Sequence, residues 1–497
     1  MTRAVLAIDQ GTTGTTALVV DEGGRVAGRG YAAVQQHYPQ PGWVEHDANQ
    51  IWQTVLDSTS QALTAASHPP LSAIGITNQR ETTVVWDRRS GEPIAPAIVW
   101  QCRRTAARCD ELRAGGRAPL FQARTGLILD AYFSGTKVEW LLDNTPGARE
   151  RADAGALRFG TIDSWLISRL TAGRTHVTDV TNASRTLLFD IHSGKWDDDL
   201  LDVLRVPRAL LPRVVPSSAA VATTADAGGA IPTGVTIAGI AGDQQAALFG
   251  QASFSPGTAK TTYGTGCFML LNTGVSALQS EHQLLTTIAW QLGAGAPLVY
   301  ALEGSVFVGG AVVQWLRDEL GVIGTAAETS AVAESIRDTG GVYVVPAFTG
   351  LGAPYWDQDA RGAIVGLTRG SGRAQIVRAA LEAIAHQVSD VVEAMAADSG
   401  APLRSMRVDG GAAANDFLMQ FQADLLGVPV ERPRNLETTA YGAAALAGLA
   451  TGVWSSLEEV ASTLAVERTF EPRMGTSDRA RHRAAWKQAV SRTRSAD

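Results

Sequence analysis

The octapeptide Asp9-Gln10-Gly11-Thr12-Thr13-Gly14-Thr15-Thr16 joins two strand-like runs, residues 4–8 and 17–20. It sets two glycines, four hydroxyls and a carboxylate in one hairpin turn, which is the chemistry of a phosphate cradle. Glycines expose backbone N–H donors, threonines add hydroxyls without bulk, and an adjacent Asp can hold Mg²⁺ through water. An ordinary Gly/Thr hairpin is the alternative. Tyr263-Gly264-Thr265-Gly266 is a second turn of this kind, and Asp409-Gly410-Gly411 is a third glycine-rich turn, between a strand and a helix. Three such turns at strand ends suit a nucleotide clamped between two halves of a chain.

Gly242-Asp243-Gln244-Gln245 follows a strand-like run, 235–240, and precedes a small-residue helix, 246–249. Asp243 reads in two ways. It can cap the helix, or it can face Asp9 across a cleft and accept a proton from a substrate hydroxyl; spacing alone favours the cap. Arg80-Glu81 follows Asn78-Gln79 at the end of a strand, where an adjacent opposite pair either hydrogen-bonds a polyol from two sides or is simply solvated. Trp100 closes another apolar run, a place where aromatic residues more often belong to the core.

Several classes of function are excluded. The chain has 497 residues, and 42 Lys+Arg against 49 Asp+Glu give a net charge of −7 with no basic tail, so nucleic acid is not an expected partner. Lysine occurs only at 137, 195, 260 and 487, and the only Gly-Lys pair, Gly194-Lys195, is followed by Trp196, which removes a Walker P-loop. Cys102, Cys109 and Cys267 form neither a CxxC pair nor an even set, so no disulfide framework or zinc site is indicated and a reducing cytoplasm is expected. Residues 4–8 already read as a strand, which leaves no room for a signal peptide. The longest apolar stretch, 440–453, is Ala/Gly-rich and too short to span a bilayer; it reads as a packed internal helix, and no membrane insertion is expected.

The elements that must position these residues alternate. Runs at 4–8, 17–20, 31–34, 74–77 and 82–86 read as strands, and Ile51, Val55, Leu56, Thr59 and Leu63 put a helix between the third and fourth. After Gly257 come strands at 261–263 and 267–271, another at 299–303, a helix at 310–319, strands at 342–346 and 405–408, and a helix at 415–426. The pattern breaks at 250–257. It predicts an α/β protein of two near-equal domains, 1–252 and 253–497.

Five segments together are specific: Pro41-Gly42-Trp43-Val44-Glu45-His46-Asp47, Gly75-Ile76-Thr77-Asn78-Gln79-Arg80-Glu81-Thr82-Thr83, Tyr132-Phe133-Ser134-Gly135-Thr136-Lys137, Gly239-Ile240-Ala241-Gly242-Asp243-Gln244-Gln245, and Pro346-Ala347-Phe348-Thr349-Gly350-Leu351-Gly352-Ala353-Pro354-Tyr355-Trp356. In this order the chain resembles the FGGY carbohydrate kinases along nearly its whole length, and most of all those acting on glycerol. The resemblance implies an actin-like ATPase fold, two ribonuclease-H-like domains around a nucleotide and substrate cleft. It further implies transfer of the γ-phosphoryl group of ATP, with Mg²⁺, to glycerol giving sn-glycerol 3-phosphate, by a homodimer or homotetramer. A kinase for another polyol or a ketose, such as xylulose or gluconate, is the alternative.

Carried onto this sequence, the resemblance makes Asp243 the general base and reverses the preference for a cap. Arg80, Glu81, Tyr132, Asp243 and Gln244 become the glycerol set, with Trp100 and Phe268 as its apolar wall. Thr12, Thr13, Gly14, Thr16, Thr265, Gly310, Gln314, Gly411 and Asn415 fall at nucleotide positions, and Asp9 and Asp243 at the metal. The chain departs from the family at two of these. Where Ser and, two residues on, Arg are usual, it has Gly14 and Thr16, so a hydroxyl and a guanidinium are missing beside the phosphates.

Overall fold

The computed structural model describes residues 3–357 and 359–495. Its first half is built on β1 (Ala4–Gln10), β2 (Gly14–Asp21), β3 (Val26–Ala33), β4 (Leu71–Asn78), β5 (Ser218–Thr223) and β6 (Thr236–Gly242), in the spatial order β5-β6-β4-β1-β2-β3. β1, β2 and β3 form an antiparallel meander, and β4 and β6 then add parallel to β1 and to each other. β1 and β2 are buried over nearly their whole length, which is why they read as unbroken apolar runs.

The helix expected from residue 51 runs from Ala48 to Ala65 (α1), with Asp47 as its N-cap: the carboxylate accepts from the Asn49 backbone N–H at 2.8 Å. β3 starts five residues before the predicted 31–34. The cause is the close packing of α1 on it: a Cβ on Gly30 would stand 1.9 Å from the Ser58 carbonyl oxygen, and one on Gly28 2.2 Å from that of Ala62. Glycine is required there, and it hides the strand from a pattern-based reading.

Residues 84–215 sit between β4 and β5 and carry their own apolar core, with Phe121, Phe133, Phe159 and Leu187 all buried. Within this region α2 (Ser134–Asn144) anchors the segment that presents Tyr132.

The second half repeats the winding. β7 (Thr258–Tyr263), β8 (Cys267–Gly274), β9 (Leu285–Trp290), β10 (Val299–Val306), β11 (Ser405–Asp409), β12 (Val430–Pro433) and β13 (Val466–Phe470) lie in the order β9-β10-β8-β7-β11-β12-β13. Again a meander, β7-β8-β10, is followed by strands parallel to its first member, β11 on β7 and β12 on β11. The shared core, an antiparallel three-strand unit extended by two parallel strands, makes these the two ribonuclease-H-like halves of an actin-like fold, with β9 and β13 added at the edges of the second.

Two helices join the halves: α3 (Asp243–Gly250), which leaves β6, and α7 (Thr438–Ala450), which follows β12. Their backbones touch, so that a Cβ on Gly250 would lie 2.0 Å from the Thr438 carbonyl oxygen and one on Gly442 1.9 Å from that of Ala246. α7 is the small-residue helix read from 440–453, and it is buried almost throughout. In the second half the helices are α4 (Ala311–Asp318), α5 (Arg373–Ser399) and α6 (Asp416–Leu426). α5, at 27 residues, was not anticipated: it is buried on most of its circumference and so lacks the one-sided apolar stripe that marks a surface helix. Among the described residues no helix is long and apolar enough to cross a membrane.

Candidate active site

Arg80 and Glu81 stand in the turn after β4. They are not the solvated pair that the sequence left open, being 2% and 1% exposed. Glu81 adopts φ +61°, unusual for a residue with a side chain. Three donors fix its carbonyl oxygen: Thr83 Oγ1 at 3.0 Å, Ser134 Oγ at 3.0 Å and Lys137 Nζ at 3.4 Å. Lys137 also donates to the Tyr132 carbonyl oxygen at 2.6 Å, and burial lowers its ammonium to about 8.

The Arg80 guanidinium is gripped from both halves. It donates to both carboxylate oxygens of Glu303 at 2.5 and 3.0 Å, to Gln245 Oε1 at 3.2 Å and to the Tyr132 hydroxyl at 3.4 Å. Its Nε stands 3.2 Å from Asp243 Oδ1. Arg185, fully buried, donates to Glu81 Oε1 at 2.6 Å and to Glu303 Oε1 at 3.0 Å. Two guanidiniums and two carboxylates therefore balance inside the protein. Burial pushes Glu81 up despite Arg185 and Arg80; at Glu303 burial is outweighed by Arg185 and Arg80, which hold the carboxyl at about 2. Burial also raises the Tyr132 phenol.

Asp243 lies at the open edge of this cluster, with 29% of its side chain exposed. It does not cap the helix: Gly242 holds that position, and Asp243 is the first residue of α3, its Oδ1 accepting from the Gln244 N–H at 2.7 Å. Asp9, in β1, is raised well above the usual carboxylate range by burial, then by the charge of Asp243, then by that of Glu437. The charge of Asp243 thus acts on Asp9. Beside them Lys260, from β7, donates to Gln244 Oε1 and, at 3.0 Å, to Thr262 Oγ1. Burial lowers Lys260 to about 8. Trp100 lies just beyond its strand, which ends at Ile98; its Nε1 donates to Thr12 Oγ1 at 2.9 Å. The Trp100 ring meets Tyr132 edge-on at 5.5 Å and Phe268, of the other half, at 6.3 Å.

The other candidates gather in the second half. Thr265, Gly310, Gln314, Gly411 and Asn415 line one cavity of about 720 Å³. The turn at its mouth is tight: Gly264 N–H donates to the Gly266 carbonyl at 2.9 Å, and Gly310 N–H donates to that of Gly264 at 2.8 Å. Gly310 precedes α4, and Asn415 caps α6 by accepting from Leu418 N–H at 3.0 Å. Thr12, Thr13, Gly14 and Thr16 are not in that cavity but on the first half, with Thr16 buried in β2 opposite Asp9. The departure at Gly14 has a steric partner: a Cβ there would lie 2.4 Å from the Tyr31 hydroxyl, which donates to the Thr13 carbonyl at 3.3 Å. The ring of Tyr31 fills the place a serine side chain would take.

Sequence reasoning missed Arg185, Glu303, Lys260 and Gln245. A signal existed for two of them: Glu303 and Lys260 are single charges inside strands that are otherwise apolar or hydroxyl-bearing.

Comparison with known proteins places nearly the whole chain in one family. The profile of the FGGY family of carbohydrate kinases, N-terminal domain, matches residues 4–250, and that of the C-terminal domain matches 259–451. A glycerol kinase of Symbiobacterium thermophilum is 60% identical over 494 residues, 99% of this chain and 98% of the relative. Among solved structures, Plasmodium falciparum glycerol kinase with ADP superposes with a TM-score of 0.94 at 36% identity, covering 99% of this chain and 98% of that one. Gluconate kinase from Lactobacillus acidophilus, at 21% identity and a TM-score of 0.88 over 99% and 97% of the two chains, shares the fold. With each half matched to one domain of a single family, and the cleft between them holding the residues its motifs pointed to, the chain belongs to the FGGY family of carbohydrate kinases, among its glycerol kinases.

Proposed function

We infer that the chain transfers the γ-phosphoryl group of ATP to glycerol, forming sn-glycerol 3-phosphate. The observation that carries this reading is Asp243, a partly exposed carboxylate at the edge of a buried, charge-balanced cluster, with Asp9 opposite and an aromatic wall beside it. In this reading Arg80 and Glu81 hold the glycerol hydroxyls with Tyr132 and Gln244, and Trp100 and Phe268 cover the carbon backbone. Asp243 takes the proton of a terminal hydroxyl as that oxygen bonds to the γ-phosphorus and the bond from phosphorus to the departing ADP breaks. A modest base suffices for such a loose transition state. The salt links from Glu303 and Arg185 fix Arg80 and Glu81 before substrate arrives, and such preorganisation is where much of the rate of phosphoryl transfer originates.

The cavity lined by Thr265, Gly310, Gln314, Gly411 and Asn415 takes the nucleotide, while Thr12 and Thr13 face its phosphates from the first half. Asp9 and Asp243 fit a divalent cation, because burial and then the charge of Asp243 hold the Asp9 carboxyl up, and a cation beside them would relieve both. Bound there, Mg²⁺ would neutralise phosphate charge. Three free, buried cysteines suit action in a reducing cytoplasm.

A coupled assay with ATP and glycerol, dihydroxyacetone, xylulose or gluconate tests the assignment. Glycerol should give the highest kcat/KM, because Trp100 and Phe268 leave no polar partner for a longer sugar. Turnover of a pentulose without turnover of glycerol would overturn it.

A further inference from the structure

The C-terminal helix α8 (Thr476–Ser491) packs against the second domain, with Trp486 buried. Where it meets α5, three side chains able to bind a metal converge: Glu382 and His386, one turn apart on α5, and His482 on α8. One ligand atom from each lies within 4.8 Å of the others. His386 is 1% exposed, yet neither Nδ1 nor Nε2 has a hydrogen-bond partner, and His482 Nδ1 is also buried and unpartnered. Buried polar atoms are seldom left so, and three in one cluster call for an unseen partner.

The neighbours offer none. Trp486 stacks on His386 at 5.0 Å and 7°, but its Nε1 is engaged by Asp390 Oδ2 at 2.7 Å. Phe421 meets His386 edge-on at 5.6 Å. Arg378 donates to Glu382 Oε1 at 2.7 Å, which orients the carboxylate and leaves its other oxygen free of hydrogen bonds among the described residues. Of the other cations nearby, Arg481 is paired with Asp478, and Arg483 is turned towards Glu393, at 3.0 Å, and the Leu425 carbonyl, though its Nε is buried without a partner.

We propose that Glu382, His386 and His482 bind a divalent transition-metal ion of the zinc class, which clamps α8 onto α5. Two imidazoles and a carboxylate suit such an ion better than Mg²⁺, whose ligands are oxygens. His482 is only half-buried, so the ion can enter from solvent and keep water in a fourth position. This site is separate from Asp9 and Asp243 and does not depend on the reaction assigned above.

The test uses the untagged full chain, stripped of metal and kept in excess Mg²⁺ so that the cleft carboxylates are occupied. Zn²⁺ is titrated against a chromophoric chelator, Co²⁺ is followed by its visible absorption, and Tm is read with and without Zn²⁺. The parent should hold one equivalent of Zn²⁺ and gain Tm. His386→Phe and His482→Ala should each bind about tenfold or more weakly, losing the Co²⁺ bands and the Tm gain. His482→Ala changes a half-buried position and keeps the test open if His386→Phe fails to fold. Parent-like Zn²⁺ binding in His482→Ala, or no Zn²⁺ bound by the parent, overturns the proposal.

Discussion

Glu303→Gln probes the buried cluster on which the active site stands. Glu303 belongs to the second half, and its carboxylate accepts from Arg80 at 2.5 and 3.0 Å and from Arg185 at 3.0 Å, both of the first half. The amide preserves shape and one acceptor oxygen but removes the charge, leaving two buried guanidiniums against Glu81 and the edge carboxylate of Asp243. Removing one partner of a buried ion pair costs about 3–5 kcal/mol. Titration points the same way: against the effect of burial, Arg185 and Arg80 hold Glu303 at about 2 in the fold against 4.5 ordinarily, a lowering on the order of a few kcal/mol. The sign follows from the lowered value. This stability is fully present above pH 4.5 and is lost as the pH falls towards about 2. The variant should therefore show a lower Tm and urea midpoint at neutral pH and a shallower loss of stability in acid. Its KM for glycerol should rise about tenfold or more, because Arg80 loses the charged two-oxygen grip of Glu303 and is left to neutral and edge partners. Thermal and urea unfolding across pH, with steady-state kinetics, measure all three. A variant within about 1 kcal/mol of the parent, with the same acid limb and the same KM, would show that Glu303 does not organise the site.

Asp243→Asn should lower kcat by roughly 10² to 10⁴, the worth of a positioned base, with Tm moved by about 2 °C at most, since Gly242 holds the cap position and an amide oxygen can still accept from Gln244; a loss of stability with activity retained would return Asp243 to a structural role. Lys260 should carry its charge onto Gln244 below about pH 8 and lose it above, so kcat/KM for glycerol should fall as pH rises through that value. Lys260→Met should abolish this limb in a pH-rate series, and an unchanged profile would dissociate Lys260 from the substrate. Gly14→Ser should weaken ADP binding by displacing Tyr31, whose hydroxyl lies 2.4 Å from the new Cβ position. Combined with Tyr31→Ala the loss should be recovered, and a double-mutant cycle by calorimetry should give a coupling above about 0.5 kcal/mol; strict additivity would refute the steric link.

What depends on neighbours in the chain was open to reading from the sequence alone. The three glycine-rich turns, the first two strands and helix α1 are set by backbone freedom and side-chain periodicity over a few residues, and the family motifs brought Arg80, Glu81, Tyr132 and Asp243 into one set. Tertiary structure decided the rest. Gly28 and Gly30 obscured β3 because the reason for them lies in α1, and α5 escaped notice because burial on most sides erases its stripe. Whether Asp243 caps a helix or faces Asp9 is a matter of where α3 begins relative to β1, which no local pattern encodes. Arg185 and Glu303 stand 104 and 223 residues from the pair they hold. Their charges are tolerable inside the protein only in each other's company, because a buried ion must find its counter-ion in space, and the path of the chain determines which one it meets.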